Sequence, residues 1–139
     1  MNKKWHLSYQ ARKRYGEQME KKFQAEVRCH CSGAFSAIGL LRPGFPDFTC
    51  ENCGQLVDVK ASPQSEQTGN LAVSATPWKN YPDDVLLVTY WRGQWHGQYK
   101  RYLQPSSALH RPTHAERPTR FVLLACMRLR PLATLGYHL

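Results

Sequence analysis

Over residues 8 to 25, "SYQARKRYGEQMEKKFQA", apolar side chains return every four positions at Tyr15, Met19 and Phe23. That spacing draws one stripe along an amphipathic helix, with Ser8 available as its cap. Arg12, Lys13, Arg14, Lys21 and Lys22 populate the rest of the helix surface. Gly16 inside it costs about 1 kcal/mol relative to alanine, so a close neighbour is expected there. After the helix, "VRCHC" reads as extended, and residues 31–46, "CSGAFSAIGLLRPGFP", wander with glycine and proline. "DFTC" is a short strand and "ENCG" a turn. "QLVDVKA" alternates cleanly: Leu56, Asp58 and Lys60 share one strand face, and Val57, Val59 and Ala61 share the other. One face of this strand is expected to enter a core, while the exposed one carries a carboxylate and an amine side by side.

Further along, "SPQSEQTGN" is a polar loop and "LAVSA" a short strand. "TPWKNYPDD" begins as a helical turn with Thr76 as N-cap and Pro77 in the first position. "DVLLVTYW" is apolar almost throughout, as in a strand covered on both faces. "RGQ" turns the chain into a hairpin partner, "WHGQYKRYL". Residues 104–119 read as a proline-rich basic loop, and "RFVLLACMRLRPL" as a last strand. No internal repeat is visible. A helix, several strands, a small helix and further strands make an α/β fold: a mixed β-sheet flanked by helices, in one domain spanning residues 1–139.

Composition narrows the partner. The formal charge of the 139-residue chain is +9, with basic residues in the first helix and again at Arg92, Lys100, Arg101, Arg111, Arg117 and Arg120. A polyanion, nucleic acid first, is the expected partner. Trp78, Tyr81, Trp91, Trp95, Tyr99 and Tyr102 are candidates for stacking on unpaired bases, with core packing the competing use. No run approaches the roughly 18 apolar residues of a membrane span, and "MNKKWHLSYQ" lacks the apolar segment of a secretion signal. No membrane association and a cytoplasmic setting, in a bacterial or phage-infected cell, are expected.

Of the five cysteines, four form two close pairs, Cys29-x-Cys31 and Cys50-x-x-Cys53, and Cys126 lies in the apolar run "FVLLACM" as an ordinary buried thiol. Paired cysteines without a secretion signal point to Zn²⁺ ahead of disulfides. Four thiolates would complete a tetrahedron and leave no open position, which is the arrangement of a structural site. The expected result is a small zinc ribbon or knuckle inserted over residues 29–53. His30 projects opposite to Cys29 and Cys31 in an extended segment and is left out of the ligand set.

The step "PD" at 46–47, a turn, and "VDVK" at 57–60, with a helix preceding them, resemble the PD-(D/E)xK nuclease superfamily. That resemblance implies a restriction-endonuclease-like core of helix, strand hairpin, helix and strand, binding one or two divalent ions. It places Asp47 and Asp58 on catalytic Mg²⁺ (or Mn²⁺) and gives Lys60 to the attacking water. Many members add a glutamate from the first helix. Glu20 is the favoured candidate here, ahead of Glu17, with Glu26 near the helix end. Ser62, Gln64 and Gln67 follow the lysine, where relatives support the metal water or contact phosphate. The cysteine knuckle inside the catalytic hairpin departs from the basic family plan.

The resulting expectation is a Mg²⁺-dependent nuclease acting on DNA, structure-selective or weakly specific, with a homodimer as the arrangement that would let it cut two strands. A non-catalytic zinc-ribbon nucleic-acid-binding protein is the alternative, and an inactive nuclease fold serving as a subunit is a third reading.

Overall fold

The computed structural model describes residues 3–38, 45–61, 68–110 and 119–139. Helix α1 (Lys3–Glu26) leads into β1 (Phe35–Ala37), β2 (Phe48–Cys50) and β3 (Leu56–Val59). Then come β4 (Asn70–Ser74), a short helix α2 (Ala75–Asn80), β5 (Leu86–Trp91) and β6 (Gln94–Tyr99). The chain closes with β7 (Ser106–His110), β8 (Thr119–Ala125) and β9 (Arg130–Pro131).

Six strands form the main sheet in the order β1-β2-β3-β5-β6-β9, and a smaller sheet runs β4-β8-β7. The main sheet is mixed. β1, β2 and β3 form an antiparallel meander, β5 lies parallel to β3, and β6 and β9 return antiparallel. A parallel neighbour needs a crossover rather than a tight turn, and the chain between β3 and β5, carrying β4 and α2, supplies it.

Each face of the main sheet has its own apolar cluster. On one face, Met19, Phe23 and Val27 of α1 and its C-terminal extension pack on Phe48, Val57, Val59, Leu86, Val88 and Trp95. The four-residue stripe of the sequence is thus the buried face of α1, with Phe23 against Phe35, Phe48 and Trp95. On the other face, Trp78 and Tyr81 join Leu71 and Val73 of β4, Val122 and Leu124 of β8, and Leu87 and Trp91 of β5. The small sheet and α2 therefore form a third layer.

Several sequence expectations change. Residues 35–37, read as irregular, pair with β2 as an edge strand. α2 begins at Ala75 with Ser74 in the capping position and no side-chain capping bond, because β4 runs directly into it; Thr76 lies inside the first turn. Residues 106–110 of the expected loop form β7, paired with β8. The last apolar run serves two sheets: β8 stops at Ala125, a 3₁₀ turn spans Cys126–Arg128, and β9 joins β6. Among the described residues nothing lies within 4 Å of a Cβ built on Gly16, so no close approach explains that glycine. Among the described residues, no helix is long and apolar enough to cross a membrane.

Candidate functional site

The β2–β3 hairpin carries chemistry at both ends. Its register pairs Phe48 with Val57 and Thr49 with Leu56. Toward the turn lie Cys50 and Cys53. At the open end, the register brings Asp47, just before β2, level with Asp58.

At the turn, Cys29, Cys31, Cys50 and Cys53 place all four sulfurs within 4.8 Å of one another. Cys29 Sγ is 3.5 Å from Cys53 Sγ, and Cys31 Sγ is 3.4 Å from Cys50 Sγ. None is in a disulfide. Zn–S bonds of about 2.3 Å in a tetrahedron separate sulfurs by about 3.8 Å, so four thiols this close can hold a zinc ion. The backbone is shaped to the cluster. The N–H groups of Asn52 and Cys53 both point at Cys50 Sγ, at 3.4 Å. Cys29 N–H donates to the Gly33 carbonyl, and Ser32 N–H to that of Cys29. Gly33 has no room for a side chain: a Cβ would sit 2.7 Å from Cys50 Sγ and 2.8 Å from Asn52 Cβ. Donation from the Gly33 backbone draws the Cys31 thiol down to about 6, while burial pushes Cys29 and Cys53 up. His30 lies outside this group, with its ring edge-on to Tyr137 at 5.5 Å.

At the open end, Val59 N–H lies beyond the last β2 pair and donates to Asp47 Oδ2 at 2.9 Å. Asp58 projects from the opposite face to Val57 and Val59. The sequence expectation of an exposed carboxylate is corrected here. Asp58 is 1% exposed, because β3 is an interior strand between β2 and β5 and the α2 layer covers this face. A surface ion pair on an edge strand is thereby ruled out. Lys60 Nζ stands 3.3 Å from Asp58 Oδ2 with its side chain about one-third exposed, yet that oxygen makes no well-formed hydrogen bond.

The electrostatics tie four expected residues together. Burial pushes the Asp58 carboxyl up to about 7; Asp47 adds to the rise and Lys60 opposes it. Burial, then the Glu20 carboxylate, pushes Asp47 up to about 6 against the Val59 N–H and Lys60. Burial works against the Lys60 ammonium, but Asp58, Asp47 and Glu20 hold its pKa above the ordinary value. Lys60 is therefore a cation, a donor rather than a base. The three carboxylates are a looser set than the thiols, which among the described residues form the one metal-ligating group drawn within 4.8 Å.

Of the helix glutamates, Glu20 is the one whose charge acts on Asp47 and Lys60. Glu17 is exposed. Glu26 is engaged elsewhere, by Lys22 and by Trp95 Nε1–H at 3.1 Å. Ser62, Gln64 and Gln67 lie outside the described residues. The aromatics expected to stack on bases divide: Trp78, Tyr81, Trp91 and Trp95 are buried, whereas Tyr102 is exposed, with the Arg101 guanidinium 5.0 Å from its ring.

Sequence reasoning missed Tyr81 as part of this site. Burial, then Asp58 and Asp47, push its phenol up, so it stays protonated as a donor facing Asp58. Its place at the end of α2 comes from the crossover packing, and no local pattern announces it.

The chain matches no protein-family profile and no curated protein sequence.

Proposed function

We propose that the protein is a metal-dependent nuclease that hydrolyses phosphodiester bonds of nucleic acid, with DNA as the favoured substrate. The observation that carries this reading is Asp58: a carboxylate 1% exposed, with Oδ2 lacking a hydrogen bond, beside Asp47 and Lys60. A buried anion among like charges is costly unless a cation compensates it. Lys60 supplies one positive charge to three carboxylates, and oxygen-only donors suit a hard ion such as Mg²⁺ or Mn²⁺.

In this reading Asp47 and Asp58 hold the ion and Glu20 completes the site from α1. The bound ion supplies Lewis-acid neutralisation of charge on the phosphate and activation of water. The chain's own contribution is positional. Val59 N–H fixes the Asp47 carboxylate, Tyr81 faces Asp58, and the Lys60 ammonium donates to the attacking water or to a phosphate oxygen as charge develops. Because Lys60 is held protonated, deprotonation of the water falls to another acceptor.

The element order supports the same reading. A helix, an antiparallel hairpin ending in D-x-K, a helix-bearing crossover and a parallel strand are the parts a restriction-endonuclease-like core comprises. The four thiols would take Zn²⁺ as a closed structural site at the hairpin turn. The charge of +9 suits a polyanionic substrate.

The test is cleavage of labelled supercoiled, branched and single-stranded DNA, and of RNA, with Mg²⁺, with Mn²⁺ and with neither. Metal-dependent cutting that Lys60→Ala abolishes supports the proposal. Binding of these substrates by both proteins without cutting would instead favour a zinc-ribbon nucleic-acid-binding protein, which the thiol cluster and the charge also fit.

A further inference from the structure

The strand face that carries Asp58 and Lys60 continues across the sheet. β3 and β5 pair Asp58 with Leu87 and Val59 with Val88, and Lys60 N–H donates to the Val88 carbonyl at 2.9 Å. Lys60 is therefore level with Thr89. β5 and β6 then pair Thr89 directly with His96. Side chains of directly paired residues share a face, so Lys60, Thr89 and His96 form one row over three strands.

Two features of this row are unusual for a core. Thr89 is fully buried between Val88 and Tyr90, and its Oγ1 has no hydrogen-bond partner. Valine has the same shape without that burden, and buried hydroxyls are rarely left unpaired. The second feature is directional. His96, also buried, places Nδ1 at 3.0 Å from the Gln94 carbonyl. A carbonyl only accepts, so Nδ1 carries the proton and, in the neutral ring, Nε2 is an acceptor. An ammonium donates only. A hydroxyl standing in the row between a donor-only ammonium and a ring nitrogen that accepts has the capacity to accept from one and donate to the other.

Lys60 Nζ lies 3.3 Å from Asp58 Oδ2. A cation on Asp58 would take that partner away, and the next oxygen along the row is Thr89 Oγ1. We propose that Thr89, backed by His96, is a positioning residue that holds the Lys60 ammonium in place once a divalent cation occupies Asp58. This inference rests on the nuclease reading for its kinetic consequence; the Lys60–Thr89 contact itself does not require catalysis.

The test compares wild type, Thr89→Val and Thr89→Ser in Mg²⁺, by cleavage kinetics, Mg²⁺ affinity, thermal stability and the Lys60 side-chain ammonium signal in NMR. Thr89→Val is expected to fold with a melting temperature no lower than wild type and to bind Mg²⁺ equally well. It should cleave roughly ten-fold more slowly at saturating substrate, with KM unchanged. The Lys60 ammonium signal, protected from water exchange in Mg²⁺-bound wild type, should lose that protection in Thr89→Val and keep it in Thr89→Ser. Wild-type kinetics and an unchanged Lys60 signal in Thr89→Val would overturn the inference. If the wild type cuts nothing, the nuclease reading falls, and the Lys60 signal alone decides the contact: no change on Thr89→Val refutes it.

Discussion

The Asp47 carboxylate accepts the backbone N–H of Val59 at 2.9 Å, joining the proline–aspartate step to the middle of the D-x-K strand. One oxygen of Asp47 is thereby fixed by β3, and the residue that follows Asp58 sets where Asp47 points. This bond separates the structural from the electrostatic part of Asp47. Asp47→Asn keeps an acceptor for Val59 and should fold with near wild-type stability while losing divalent-ion affinity. Asp47→Ala leaves a backbone donor unpaired and should also cost about 1–3 kcal/mol. Urea unfolding and Mn²⁺ titration of both variants check the difference; equal destabilisation by Asn and Ala would show that the bond is unimportant.

Asp58→Ala and Lys60→Ala are expected to abolish cleavage while leaving substrate binding measurable. A loss of at least 100-fold is anticipated for groups that act only as charge develops. Gel-shift and cleavage assays on the same preparations check this, and full activity in either variant would remove that residue from the site.

The raised carboxylates make stability depend on pH in a definite direction. In the folded protein Asp58 and Asp47 sit at about 7 and about 6, against 3.8 for the free group. Between roughly pH 4 and 7 the native state holds protons that the unfolded chain has released, so stability falls as pH rises through this window. For Asp58 alone the loss is on the order of 2 to 4 kcal/mol. Urea unfolding of metal-free carboxylate sites at pH 5 and pH 8 measures it. Asp58→Asn should flatten the slope, and Mg²⁺ at pH 8 should restore stability to wild type. A stability that rises with pH over this range would contradict the electrostatic account.

Two glycines should respond oppositely to alanine. Gly33→Ala forces a Cβ to within 2.7 Å of Cys50 Sγ and is expected to lower bound zinc and solubility, as Cys50→Ser should. Gly16→Ala meets nothing within 4 Å among the described residues and should stabilise α1 by about 0.5–1 kcal/mol. Zinc content by elemental analysis and thermal melting of the two variants give the comparison.

What the sequence revealed was local. The cysteine cluster was legible because two short spacings bring thiols together by themselves, and the stripe of Tyr15, Met19 and Phe23 did mark the buried face of α1. Alternation placed Asp58 and Lys60 on one face of β3. What covers that face was not legible, since it depends on a crossover that folds β4 and α2 back over the sheet. The burial of Asp58, the presence of Tyr81 beside it and the row through Thr89 and His96 all follow from that layer and from strand register. β1 escaped notice for a similar reason: Phe35–Ala37 is a three-residue edge whose only signal is its partner.

In the proposed site Glu20, Asp47 and Asp58 close on one divalent cation. The direct measurement is a crystal structure of the zinc-loaded protein soaked in Mn²⁺, with anomalous data collected at the manganese edge. A peak bonded to oxygens of Asp47 and Asp58, with Glu20 in its coordination sphere directly or through water, is the expected result. An occupied four-cysteine site with no manganese at these carboxylates, in crystals soaked at millimolar Mn²⁺ above pH 7, would contradict it.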